Sequence, residues 1–285
     1  MANEIIKLFR ENLPDVIRRY GAVENVLCDD NNHIINCRDG NKLAGVSVIN
    51  GGTIYLLCVD KYSQNHGIGT RLLLQSEDYI RSKGFTKANL GVGKDYIMPG
   101  VPKNDGVHRF FRKHGYTHSW GDIGCIDMHQ ALDGFSCNDY TIGDTIKEIR
   151  YRWADASDLE STVQCIIDAE ESFVCFYQDK AIYKHDSTTP VLIAEKDNNV
   201  FGAIMVNFEE GLSNNGGTLD CLVTAQKHRG KGIATTLTTL GTKHLKDIGL
   251  CNSYLCYTYT DISGMYRRIG YEVCMEYFMG EKIFT

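Results

Sequence analysis

No run of lysine and arginine occurs anywhere in these 285 residues, and the formal net charge is −6. An acidic chain without a basic stripe is a poor ligand for a phosphate backbone, so nucleic acid is set aside as a partner. No apolar stretch is long enough to span a bilayer, which sets aside a membrane. The first residues, Met-Ala-Asn-Glu, lead into an amphipathic run and not into a basic segment followed by an apolar one, so no secretory signal is read there. The eleven cysteines contain no Cys-x-x-Cys pair and are scattered from Cys28 to Cys274. That odd, dispersed set fits reduced, mostly buried thiols in a cytoplasmic protein better than a disulfide framework. His108, His114, His118, Cys125 and His129 lack the spacing of a zinc site, so no metal is expected.

What is present has the balance of an ordinary globular protein: 43% hydrophobic and 23% charged residues. The length suits two compact domains, each able to bury its own core. The acidic balance is compatible with a cationic substrate such as an amine.

An internal repeat organises the chain. Val59–Leu90 aligns with Thr224–Leu255 at a constant offset of 165, so that Gly67 meets Gly232, Ile68 meets Ile233 and Thr70 meets Thr235. Later the offset is 155, where Phe110–Tyr116 meets Met265–Tyr271. The first copy therefore carries ten extra residues around Tyr96–Pro102, which Pro99 and Pro102 mark as a loop. In the first copy, strands are predicted over Leu43–Ile49, Thr53–Val59 and Lys87–Val92, with a helix over Ile68–Lys83. The second copy repeats this with strands over Val191–Glu195, Val200–Phe208, Thr218–Thr224 and Ser253–Thr258 and a helix over Gly232–Asp247. It also has an opening strand, Glu148–Trp153, and a helix capped near Ser157. The first copy starts directly with a helix, Glu4–Asn12, and lacks that strand. Both copies close with a short helix, a Gly-Tyr turn and a strand.

In each copy a strand runs into a glycine-rich turn that opens a helix: Gln64-Asn65-His66-Gly67-Ile68-Gly69 and Arg229-Gly230-Lys231-Gly232-Ile233-Ala234. A helix N-terminus presents unpaired N–H groups and the positive end of the dipole, which suits phosphate. Neither run has the Gly-Lys-Ser/Thr ending of a P-loop, and neither has the G-x-G-x-x-G dinucleotide pattern. Two aligned copies favour phosphate binding over a plain strand–helix joint.

Both hexapeptides match the Gln/Arg-x-x-Gly-x-Gly/Ala turn of the GNAT superfamily of N-acetyltransferases, which the chain resembles. The family's aromatic short helix ending in Gly-Phe or Gly-Tyr is matched by Met265–Tyr271 and less closely by Phe110–Tyr116. The Tyr96–Pro102 insert is similar to tandem GNAT proteins. The resemblance implies an α+β (α/β) fold: two tandem GNAT-like domains, each a mixed, mostly antiparallel splayed sheet flanked by helices. They would cover 1–135 and 145–285, dividing near Asp133–Asp144.

The resemblance also implies acetyl-CoA as co-substrate. It would bind along Leu222, Val223 and Thr224 and over Arg229, Gly230, Lys231, Gly232, Ile233, Ala234 and Thr235. In the first copy the matching positions are Cys58 and Val59, then Gln64, Asn65, His66, Gly67, Ile68, Gly69 and Thr70. A backbone N–H near a bulge in the strand would hold the oxyanion. The family's tyrosine that protonates the leaving thiolate maps onto Tyr266, whereas the first copy has Phe111, with no proton to give. Strand alternation puts Asp220 on the face of Thr224, where it can serve as base directly or through water; a solvated or ion-paired carboxylate is an equal reading. Glu209 and Glu210 before that strand read as a solvated turn.

The expected function is an acetyl-CoA-dependent N-acetyltransferase, an acyltransferase of groups other than amino-acyl, that moves acetyl to a primary amine of a small molecule or peptide by direct attack. The second domain is expected to catalyse. The alternatives are a non-catalytic acyl-CoA-binding regulatory module, or catalysis in the N-terminal domain. A homodimer is left open.

Overall fold

The structure, a computed structural model, describes residues 2–16, 20–91, 97–103, 106–136, 149–208 and 215–284. Glu209, Glu210, Tyr96 and most of the Asp133–Asp144 stretch lie outside the described residues. The chain forms two compact units, Met1–Ile126 with Met275–Thr285, and Asp127–Cys274.

The first unit opens with helices α1 (Ala2–Asn12) and α2 (Tyr20–Leu27). Strands β1 (His33–Asp39), β2 (Lys42–Asn50) and β3 (Thr53–Val59) follow, then α3 (Ile68–Ser82), β4 (Lys87–Leu90), β5 (Val101–Pro102), α4 (His108–Lys113) and β6 (Thr117–His118). Strand β7 (Cys125–Ala131) carries the chain onward. The second unit contains β8 (Arg150–Trp153), α5 (Leu159–Ala169), α6 (Val174–Tyr177), β9 (Val191–Lys196), β10 (Asn199–Asn207), β11 (Gly216–Thr224), α7 (Ile233–Asp247), β12 (Asn252–Tyr259) and α8 (Ser263–Arg267). The chain ends with β13 (Glu272–Phe278) and β14 (Gly280–Ile283).

Helix α3 turns Leu73 and Ile80 inward onto the cluster of Ile49, Ile54 and Phe278, and Leu72 toward Gly45 of β2. Burying each such side chain fully contributes about 1.5–3 kcal/mol. The second core gathers Ile166 of α5 and Tyr177 of α6 against Ile193, Ala203 and Val223 of the sheet. Among the described residues no strand precedes β1, whereas β8 precedes β9 in the second sheet.

Each half gives up its last strand. The first sheet runs β1-β2-β3-β4-β14-β6, so the chain's final strand lies between β4 and β6. In the second unit, β7 lies between β12 and β13. A division at 135/145 assigns the chain's last strand to the second domain, whereas 275–285 cluster with the first unit. Close packing enforces the placement of β14: a Cβ on Gly280 would come within 2.6 Å of Leu90.

Two local readings change. Strand β1 was not foreseen, because its polar end (Asn36, Arg38, Asp39) shows no period of two. Val101–Pro102 at the end of the insert is a short strand paired with Tyr277 and Phe278, and not loop; proline is tolerated on such an edge. The turn into α5 is capped near Ser157, as expected, by Asp155, whose carboxylate accepts the Ser157 N–H while Asp158 accepts the Asp155 N–H.

Candidate functional site

The two glycine turns are built alike. Gly67 (φ +75°) and Gly232 (φ +84°) occupy the N-cap positions of α3 and α7 in the left-handed region, and neither helix has a side-chain cap bond. The first helical bonds run from Arg71 N–H to Gly67 O and from Thr236 N–H to Gly232 O. The preceding N–H groups therefore point out of each helix, which is the arrangement that receives an anion. An added Cβ at Gly67 or Gly230 would meet nothing within 4 Å, so open space lies over both turns. Asn65 (φ +63°) takes the conformation that Gly230 (φ +73°) takes in the other copy. The leading residue of each turn ties it to its strand: Gln64 Nε2 donates to Val59 O at 3.2 Å, and Arg229 Nε donates to Thr224 O at 3.2 Å. His66 is exposed, and Ile68, Gly69, Thr70, Lys231, Ala234 and Thr235 are half-buried around the same openings, with Ile233 buried beneath.

Each turn ends a strand that has parted from its neighbour. The parallel ladder of β11 with β12 runs through Gly216/Asn252, Gly217/Ser253 and Thr218/Tyr254 and stops there. Leu219–Thr224 and Leu255–Tyr259 continue as the two walls of a cleft. In the first unit the ladder of β3 with β4 covers only Thr53/Asn89 and Ile54/Leu90. Thr224 Oγ1, at the strand end, is buried with no hydrogen-bond partner among the described residues. Cys58 instead faces α1, where its thiol lies 3.9 Å from Leu8 O and burial pushes its pKa up to about 12, so only its backbone can serve a ligand in the cleft.

A bulge interrupts β11. Ala203 faces Val223 and Met205 faces Asp220, so Cys221 and Leu222 together stand opposite Ile204, and Cys221 has φ +52°. The extra residue flips the alternation. Leu219 packs on α7, since a Cβ on Gly241 would meet it at 2.9 Å, whereas Val223 packs with Ile166 and Tyr177 on the other side. Asp220 therefore does not share the face of Thr224, contrary to the expectation from plain alternation. It lies on the α5/α6 side, half-buried, and accepts a hydrogen bond from Thr218 Oγ1 at 2.7 Å. In the first unit the bulge falls one residue earlier, at Tyr55, with Val48 facing Leu56 and Ile49 facing Ile54.

The bulge in β11 is held from outside. Tyr177 Oη donates to Cys221 O at 2.8 Å, and burial holds the Tyr177 phenol well above the ordinary tyrosine pKa. Nothing in the sequence pattern marked this tyrosine; a buried phenol facing a bulge is visible only in three dimensions. Tyr177→Phe leaves that carbonyl without its donor and is expected to lower the unfolding free energy by about 1–2 kcal/mol, read as a shifted denaturant midpoint.

Tyr266 sits in α8, 5% exposed, with its ring 6.3 Å from that of Tyr271 in a T-shaped pair. Tyr271 is fixed in turn by Thr242 and Ser253, whose hydroxyls lie 2.7 and 2.6 Å from its own. Burial, with Tyr271 as the lesser cause, raises the Tyr266 pKa above the usual tyrosine value, so it is a phenol and not a phenolate at neutral pH. At the aligned position Phe111 is 4% exposed and packs on Tyr116. Among the described residues no group of three or more His, Cys, Asp or Glu side chains is placed to hold a metal ion, and no helix is long and apolar enough to cross a membrane.

Among curated proteins no sequence relative matches the chain. Solved structures do. A GCN5-related glucosamine N-acetyltransferase region of a fungal multi-domain GH3 beta-N-acetylglucosaminidase superposes with a TM-score of 0.75 at 19% identity; the match covers 98% of this chain and 36% of that one. A tandem GNAT protein from the clavulanic acid biosynthesis pathway gives 0.71 at 13% identity, covering 99% and 94%. A GCN5-related N-acetyltransferase from Sphaerobacter thermophilus gives 0.69 at 15% identity, covering 99% and 92%. At these identities the likeness is one of fold. Residues 151–271 match the acetyltransferase (GNAT) family and residues 7–95 match an acetyltransferase (GNAT) domain. With a matched domain in each half and the same uncapped glycine turn at the end of a parting strand in both, the chain belongs to the GNAT acetyltransferase superfamily as a tandem member.

Proposed function

We propose that the second unit transfers an acetyl group from acetyl-CoA to a primary amine of a small molecule or peptide. The observations that support this reading are the buried phenol of Tyr266 and, in the same unit, an uncapped glycine turn at the end of a parting strand, against phenylalanine at the position of the tyrosine in the first unit. The diphosphate would lie on the N–H groups that follow Gly232. The pantetheine amides would pair with the edge of Leu222–Thr224 that β12 has left. The amine nitrogen attacks the thioester carbonyl, the C–N bond forms, and the carbonyl oxygen takes negative charge near the bulged backbone. The tetrahedral adduct then expels the thiolate, which takes a proton from Tyr266. Asp220, on the α5/α6 side, would accept the amine's proton directly or through water. The first unit, with Phe111 and its own open turn, would bind the thioester without turning it over.

The decisive assay is thiol release from acetyl-CoA over a panel of amines, alongside calorimetry with coenzyme A. The fungal region named as a glucosamine N-acetyltransferase makes an amino sugar one member of that panel. Release with at least one amine supports transfer; tight coenzyme A binding with no release from any amine would favour an acyl-CoA-binding regulatory module. Gly232→Val introduces a β-branched side chain at φ +84° over the anion site. It is expected to weaken coenzyme A binding about 10-fold, roughly 1.4 kcal/mol, in the same calorimetric titration.

A further inference from the structure

Strand β7 belongs to the first half of the sequence, yet Asp127–Ala131 belong to the second unit and lie next to β12. Its polar side chains are engaged there, Asp127 and Gln130 buried and His129 half-buried. Gln130 Nε2 donates to Ile269 O at 3.0 Å, in the turn that follows Tyr266. His129 Nε2 lies 2.7 Å from Asn252 Oδ1, and its ring is tilted against that of Tyr254 with centroids 5.0 Å apart. Asp127 is 2% exposed, and its Oδ1 accepts the backbone N–H of Tyr257 at 3.1 Å.

Tyr257 has φ +63°, a region that bulky L residues rarely adopt. It lies in the stretch of β12 beyond Tyr254, where the ladder with β11 has ended and the strand forms one wall of the cleft. The opposite wall has its own left-handed residue, Cys221, held at its carbonyl by Tyr177. Each wall of the cleft is thus kinked once, and each kink is fixed by a buried side chain from an outer element. A carboxylate is a costly group to bury, and a purely space-filling role would be met by an apolar side chain.

We propose that Asp127 is a positioning residue for the second unit's transfer reaction. By holding the Tyr257 N–H it sets the β12 wall against which the thioester and the incoming amine are aligned. It takes no proton in the reaction. The inference rests on the reading of this cleft as the acetyl-CoA site.

The test uses the full chain, acetyl-CoA and the best amine of the panel, with Asp127→Ala and Asp127→Asn. Asp127→Ala is expected to lower kcat about 10-fold while KM for acetyl-CoA stays within about 2-fold, because alignment is lost and binding is not. Asp127→Asn keeps an acceptor oxygen in place and is expected to recover kcat to within about 3-fold, with the pH profile of kcat unmoved. Wild-type kcat in Asp127→Ala overturns the proposal. So does an asparagine variant as slow as alanine, or one whose pH profile shifts, since either makes the charge itself the working feature. If Asp127→Ala does not fold, the asparagine variant's kcat and pH profile decide alone. Wild-type chain that fails to bind coenzyme A sinks the site assignment and this inference together, an outcome distinct from a wild type that turns over beside an unaffected Asp127→Ala.

Discussion

Tyr266→Phe is expected to lower kcat by about 100-fold or more while leaving KM for acetyl-CoA nearly unchanged, because in the proposed reaction the hydroxyl acts only as the thiolate departs. The substitution keeps the ring and its T-shaped contact with Tyr271 and removes a single oxygen, so packing is preserved. Burial raises the Tyr266 pKa, which makes it a weaker acid than free tyrosine. In the proposed reaction a thiolate departing into the same apolar surroundings would have its proton affinity raised too, which keeps the transfer matched. The sign of the shift sets the pH dependence. A raised pKa keeps the acid protonated to higher pH, so the loss of rate due to Tyr266 ionisation should fall above the ordinary tyrosine range of about 10. Steady-state thiol release from pH 6 to 10 checks both statements. Turnover that survives the substitution intact would move catalysis out of the second unit.

Lys282→Ala is expected to destabilise the first unit by about 3 kcal/mol. Lys282 lies on β14, and its Nζ donates to both oxygens of Glu77 at 2.9 and 2.7 Å. The Glu77 side chain is 1% exposed and that of Lys282 22%. Removing the lysine leaves a buried carboxylate without its main partner, which typically costs about 3–5 kcal/mol. The lower end applies because Arg81 stays 3.6 Å away and can share the charge. Adding Glu77→Gln to Lys282→Ala should recover about 1–2 kcal/mol, since the uncompensated charge is then gone. Urea titrations of the wild type and of the single and double variants measure this. A single variant within about 0.5 kcal/mol of wild type would show that the pair does not secure β14.

Local chemistry made some of this legible in advance. A glycine that must adopt positive φ, followed by an uncapped helix, is written in adjacent residues, and so both turns and helices α3 and α7 follow from the repeat. The contrast between Tyr266 and Phe111 is likewise a matter of spacing within one short motif. Asp220 shows the limit. Its face depends on how many residues of β11 stand opposite β10, and one extra residue at Cys221 reversed the answer. Tyr177, forty-four positions from the carbonyl it holds, carried no signal of its own.

By itself, the sequence determined the duplication, the two glycine turns that open α3 and α7, and the contrast of Tyr266 with Phe111, because each is written in residues a few positions apart within one copy. Tertiary structure alone decided which sheet each closing strand joins, where β11 bulges and which way its carboxylate points. Those outcomes depend on strand register and on a pairing between segments more than a hundred residues apart, such as Asp127 with Tyr257 and Lys282 with Glu77. No local pattern encodes such a partner, since its choice is settled by the packing of the folded sheet as a whole.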